Sequence, residues 1–141
     1  MDSLFQILFA IIDFMNIQSP VVNLIKKVMP AVVSIAISKK LEAIEKEIPP
    51  ELAPMLPFQH GHLKVPDEMM DSKGMVKIGG GSGFIVDSSG IVVTNKHVVA
   101  DKDAEYTVIF DNGDKFKGVI LARDPIDDVA ILKIEPKKNS F

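Results

Sequence analysis

The feature that most restricts the fold is the texture of the chain from Val76 onward, where short apolar runs alternate with turn residues. VKIGGGSGFIV, IVVTN, EYTVIF, KFKGVILA and DVAILKI follow one another, with Asp87-Ser88-Ser89-Gly90 and Asp111-Asn112-Gly113-Asp114 as turns between them. Apolar, β-branched runs of this length, bounded by Gly, Asn, Asp and Ser, read as strands. The Asn112-Gly113 pair is the strongest hairpin signal and predicts a type I′ turn, with positive φ at both central residues. Upstream, AVVSIAI (31–37) is β-branched, is enclosed by Pro30 and the Lys39-Lys40 pair, and reads as one more strand. Six short strands at this spacing predict a mainly β chain closed into a small antiparallel barrel.

What precedes the later strands has a different character. After Ser19-Pro20, apolar Val21, Leu24, Ile25 and Val28 recur at helical spacing up to Pro30, so a short helix is expected there. From about Lys39 to Lys77 comes a charged run, KKLEAIEKE, then five prolines (Pro49, Pro50, Pro54, Pro57, Pro66) and three methionines between Met69 and Met75. This stretch reads as a short helix followed by a long irregular loop, inserted between the first and second strands. The expected organisation is therefore an apolar segment over 1–19 and a barrel domain over 20–141, with an insertion at about 39–77.

The apolar segment contributes to the positive mean hydropathy of +0.22. Leu4 to Ile17 (LFQILFAIIDFMNI) would span about 21 Å as a helix, short of a hydrocarbon core of roughly 30 Å. At the helical period, Asp2, Gln6, Asp13 and Asn16 form one narrow polar stripe, as in a helix lying on a lipid or protein surface. No Lys or Arg precedes Leu4 and no small-x-small site follows Ile12, which ranks an atypical signal or anchor second and a spanning helix last. Contact with a membrane surface through residues 4–17 is thus one expectation.

Several functions are disfavoured on composition. The net charge is −3, with Lys and Arg spread along the chain, so there is no basic stripe for a nucleic-acid backbone. The absence of Cys removes disulfides, thiol nucleophiles and cysteine zinc sites, and fits a reducing or an oxidising compartment equally. His60 and His62 alternate in QHGH, but they stand in the Pro- and Met-rich loop with only Asp67 and Glu68 near them in sequence, so no metal site is expected. Gly79-Gly80-Gly81-Ser82-Gly83 lacks the Lys-Ser/Thr of a phosphate loop and the following helix of a dinucleotide turn. Its glycines are expected to permit a bulge or a close backbone approach, and Ser82 to be structural.

Residues 79–134 carry, in order, a Gly-rich strand, Thr94-Asn95-Lys96-His97-Val98-Val99, the Asn-Gly hairpin and Asp124-Pro125-Ile126-Asp127-Asp128-Val129-Ala130-Ile131-Leu132-Lys133-Ile134. This succession resembles the first barrel of HtrA (Deg)-type trypsin-like serine proteases, and KKVMPAVVSI (26–35) resembles the segment that opens their protease domain. The resemblance implies the first six-stranded barrel of a chymotrypsin-like two-barrel fold, preceded by N-terminal helices. It implies that His97 is the general base and that Asp128, directly before the apolar run VAILKI, orients the imidazole. Asp124, before Pro125, is expected as a turn residue and Asp127 as a solvated neighbour, unless a one-residue register slip exchanges the faces of Asp127 and Asp128.

In that family the nucleophile is a serine in a Gly-Asn-Ser-Gly-Gly-type turn far downstream of the aspartate. Here only Ser140, in KKNSF, follows Asp128, and no glycine stands beside it. The nucleophile and the oxyanion hole are therefore expected to be missing from these residues, and the chain alone is expected to be inactive. The resemblance further implies a serine endopeptidase of protein quality control acting on unfolded or damaged proteins, assembly as a homotrimer, an extracytoplasmic location in the periplasm or cell envelope, and no cofactor. The competing expectation is a non-catalytic interaction or regulatory module built on the half-barrel.

Overall fold

A computed structural model describes residues 19–135. Leu4 to Ile17 and Ser140 lie outside the described residues. The chain forms two units, one ending at Pro30 and the other beginning at Ala31. In the first, helix α1 (Pro20–Val28) starts where the Ser19 side chain accepts from the Val21 amide, with Pro20 in the first turn, and ends with Lys26 and Lys27 in its last turn. These are the residue types each helix end favours. No helix among the described residues is long and apolar enough to cross a membrane.

The second unit is the expected barrel. Its strands are β1 (Val32–Lys40), β4 (Met75–Asp87), β5 (Ile91–Thr94), β6 (Glu105–Ile109), β7 (Lys115–Arg123) and β8 (Ala130–Lys133). They close in the order β1-β4-β5-β8-β7-β6, all antiparallel, with β1 pairing both β4 and β6 so that no edge remains. Between β1 and β4 lie helix α2 (Leu41–Glu47) and a two-stranded hairpin of β2 (Phe58–Gln59) and β3 (His62–Leu63). α2 is the short helix foreseen from the charged run.

Alternation along each strand fills the barrel. Val33 and Ile35 of β1, Val92 of β5, Tyr106 and Val108 of β6 and Leu132 of β8 are all at most 3% exposed. Phe110 and Phe116 meet edge to face, with centroids 5.5 Å apart. The Gly-rich strand answers the expectation made of it in two ways. Ile37 faces Gly79 while Ser38 faces Lys77, which leaves Ile78 as the extra residue of a bulge. At Gly81 a Cβ would stand 2.5 Å from a methyl of Val98, so only glycine leaves room for that core side chain.

Two expectations are corrected. The Asn112-Gly113 hairpin is not a type I′ turn, since Gly113 has φ of 87° while Asn112 does not have positive φ. The Gly113 amide bonds to the Phe110 carbonyl and the Phe110 amide to the Asp114 carbonyl, giving a three-residue loop with glycine in the left-handed position. Asn112 Oδ1 accepts from the Asp114 amide at 2.9 Å, which fixes Asn112 in this alternative. In addition, β1 does not stop at Ile37 but pairs on to Lys40, because the bulge at Ile78 keeps it in step with β4.

The close approach at Gly81 yields a test. Gly81→Ala should destabilise the barrel by about 1–3 kcal/mol, as overpacking typically does, and adding Val98→Ala should recover part of that loss. Urea unfolding of the two variants and of Val98→Ala alone closes the double-mutant cycle. Purely additive effects would contradict the contact.

Candidate functional site

Register builds the site. Thr94, the last residue of β5, lies opposite Ala130, the first residue of β8. Because these strands are antiparallel, the chain leaving β5 and the chain entering β8 emerge side by side at one end of the barrel. Asn95, Lys96 and His97 leave on one side, and Asp127, Asp128 and Val129 arrive on the other. Buried Thr94 fixes the corner by donating its hydroxyl to the Ser82 carbonyl at 2.7 Å.

After Thr94 the chain enters a short 3-10 turn, Lys96–Val99, which buries Val98 and Val99 in the core and leaves His97 facing out, 72% exposed. Asp128 grips His97 twice. Its Oδ1 accepts the His97 backbone amide at 2.9 Å, and its Oδ2 lies 2.6 Å from His97 Nδ1. An ionised carboxylate only accepts, so Nδ1 carries the proton and, in the neutral ring, Nε2 is left with a lone pair. Hydrogen bonds from the His97 amide, then from its ring, hold the Asp128 carboxyl below the usual carboxylate range. That geometry can orient an imidazole so that Nε2 accepts a proton from a bound hydroxyl.

The other acidic residues separate as the local sequence suggests. Asp124 Oδ1 accepts the amides of Ile126 and Asp127, at 2.8 and 2.7 Å, and makes the turn after β7. These bonds keep Asp124 below its ordinary pKa as well. Asp127 is exposed. Asp128 is fixed but not desolvated, since its side chain is 48% exposed. Its placement comes from hydrogen bonding at the mouth of the barrel, where no core side chain covers it.

Supporting residues went unnoticed in the sequence. Asn95 Nδ2 donates to the Asp128 carbonyl at 3.1 Å, and Lys96 Nζ donates to the Asp124 carbonyl at 2.8 Å. Behind the turn, Arg123 Nε donates to the Val99 carbonyl at 2.8 Å. Asn95 stood in the motif, but nothing in sequence spacing says that its amide reaches a carbonyl more than thirty residues away. Beside this corner, Val32, Phe84, Val93 and Val129 line an apolar cleft of about 450 Å³ that reaches Asn95 and Asp128. Ser82 also lines this cleft. His60 and His62 lie in the β2–β3 hairpin, away from this corner in the topology, with His62 Nδ1 3.3 Å from Glu45 Oε2. No group of three or more potential metal-ligating acids, histidines or cysteines occurs among the described residues.

A family model described as a trypsin-like peptidase domain matches residues 81–141. A protein of Brucella suis biovar 1 named as a probable periplasmic serine endoprotease, DegP-like, is 32% identical over 88% of this chain and 28% of its own length. A protein of the same name from Pseudomonas putida is 34% identical over 82% of this chain and 25% of its own. The mitochondrial serine protease HTRA2 of Bos taurus is 44% identical over 63 residues, 45% of this chain and 14% of its own. The chain thus spans little more than a quarter of the length of the curated relatives that match most of it.

The grip on Asp128 has a pH consequence. Its bonds are made to the ionised form, so its contribution to stability is complete above the unfolded value near 3.9 and is lost as pH falls through the lowered folded value. A carboxyl ¹³C titration should place Asp128 below about 3.9. In His97→Ala it should move only part of the way back, because the amide of residue 97 still donates. A full return would show that the ring, not the backbone, sets the shift.

Proposed function

Since the chain belongs to the trypsin-like peptidases of the HtrA type, we propose that it supplies the base and the orienting carboxylate of a serine endopeptidase, and that the nucleophile comes from residues outside these 141. The observation that carries this reading is the paired contact of Asp128 with His97, through both the backbone amide and Nδ1. His97 Nε2 takes the serine hydroxyl proton as the oxygen attacks a peptide carbonyl. It returns that proton to the leaving amine, and water then hydrolyses the acyl-enzyme by the same route in reverse. Asp128 keeps the proton on Nδ1, so that Nε2 is the basic nitrogen, and stabilises the imidazolium while it lasts.

Ser82 is not the nucleophile on this reading. It is a strand residue of β4, paired opposite Ser34 of β1, and its carbonyl receives the Thr94 hydroxyl. The apolar cleft beside Asp128 and the exposed Phe84, Val86, Ile126 and Val129 are the surface on which a second barrel would pack and complete the site. Unfolded or damaged proteins as substrates, a homotrimer and an extracytoplasmic location belong to the same proposal. The location draws on relatives named as periplasmic. A membrane contact through residues 4–17 would be an addition to it, drawn from their amphipathic pattern.

The test has two arms. A fluorophosphonate probe should label no serine in the 141-residue chain, and labelling of Ser82 or any other serine would overturn the assignment. Joined to a downstream domain carrying a glycine-flanked serine, the chain should cleave an unfolded protein. There Asp128→Asn should lower kcat by about 10⁴-fold, the size of effect the triad template gives for the wrong tautomer. An unchanged rate in that variant would remove Asp128 from the mechanism.

A further inference from the structure

Lys39 is the one buried charged side chain among the described residues, 1% exposed. It follows Val33, Ile35 and Ile37 on the inward face of β1 and stands where an apolar residue would continue the pattern. An ammonium is removed from water at a heavy cost unless charged partners replace the solvent. Here two do. Nζ donates to Glu47 Oε1 at 2.5 Å and to Asp101 Oδ2 at 2.8 Å. Hydrogen bonding to Asp101, then to Glu47, raises the ammonium's pKa against the opposing effect of burial, so Lys39 keeps its charge.

The two carboxylates come from different places. Glu47 is the last residue of α2, in the inserted stretch. Asp101 lies four residues beyond His97 and is held through both its carboxylate and its carbonyl. Its Oδ1 accepts the Asp103 amide at 2.8 Å, and its carbonyl accepts the hydroxyl of buried Tyr106 at 2.6 Å. Between His97 and Asp101 the chain buries Val98 and Val99, and the Val99 carbonyl takes the Arg123 bond. Two residues before Glu47, α2 is tied to the rest of the insertion, since Glu45 accepts the Leu63 amide of β3 at 2.7 Å.

A well-packed apolar side chain at position 39 could stabilise the barrel as well as the ion cluster does. What only a cation supplies is a single point that holds two carboxylates from separate segments. We propose that Lys39 is a positioning residue for the His97–Asp128 pair, fixing the far end of the His97 turn through Asp101 and making that fixation depend on the inserted helix through Glu47. The inference rests on the reading of His97 as the base. Displacement of α2 by anything that binds the insertion would withdraw Glu47, loosen the Lys39–Asp101 contact and free the His97 ring from its place against Asp128.

The experiment uses isotope-labelled chain and two NMR readouts, the Nδ1–H proton signal of His97 and amide hydrogen exchange from His97 to Ala104. Glu47→Gln changes a side chain that is 60% exposed, and the fold should survive it. It should raise exchange at His97 to Asp101 by about tenfold, on the scale of a local opening rather than global unfolding, and should weaken the Nδ1–H signal. Lys39→Met should give the same local signature even where its melting temperature equals or exceeds that of the parent, and Lys39→Arg should restore at least part of it. Lys117→Gln, which breaks the exposed pair with Glu105, should change neither readout. A folded Glu47→Gln protein with parental His97 signals would overturn the proposal, whether or not Lys39→Met folds. Failure of the underlying catalytic reading looks different: the parent chain itself would then show no Nδ1–H signal that Asp128→Asn abolishes.

Discussion

The pairing of Thr94 with Ala130 is the constraint on which the rest depends. One residue of slip of β8 against β5 would turn Leu132, which is fully buried, out of the core. The same slip would present Asp127 instead of Asp128 to the His97 turn. Core packing and site geometry are thus one choice of register, enforced by apolar residues in the barrel interior. The Thr94 hydroxyl, bonded to the Ser82 carbonyl, adds a polar stop from the β4 side.

From that corner the influence of the core runs outward through the turn. Val98 and Val99 are anchored inside, and Val98 fits only because residue 81 has no side chain. Their burial on one side of the turn obliges His97 to face the other. The glycine-rich run, which superficially resembles a nucleophile turn or a phosphate loop, therefore acts at the site by making space for a valine next to the histidine.

Much of the fold was legible because its strands are short apolar, β-branched runs closed by Gly, Asn, Asp and Ser. The six strands and their barrel came from those runs, while the choice of Asp128 over Asp124 and Asp127 came from the resemblance, which sets that residue directly before VAILKI. What stayed hidden depends on contacts that no local pattern records. Lys39 read as the start of a charged run, although it ends an inward-facing series, because the carboxylates that make its burial tolerable stand eight and sixty-two residues away. The Asn112-Gly113 pair signalled a hairpin correctly and its turn type wrongly, since the Asn112 side chain bond to Asp114 favours a conformation that the dipeptide alone does not select. Nor could spacing show that Asp128 would be half exposed, for the cover of a residue at a barrel mouth is decided by whatever packs on that mouth.

That exposure clarifies what the Asp128–His97 contact does. A polar contact open to water contributes little to stability, since solvent competes for the same groups. Yet both oxygens of Asp128 engage the same residue, one at its backbone and one at its ring, so the carboxylate fixes the imidazole relative to the peptide that carries it. A single bond to Nδ1 would leave the ring free to swing with its own turn. Two bonds convert a weak contact into a definite direction, provided the turn itself does not move. The rigidity of that turn comes from behind, through Val99 held by Arg123 and Asp101 held by Lys39. The anchoring cation is buried, whereas the His97 ring it helps to hold stands at the exposed mouth of the barrel.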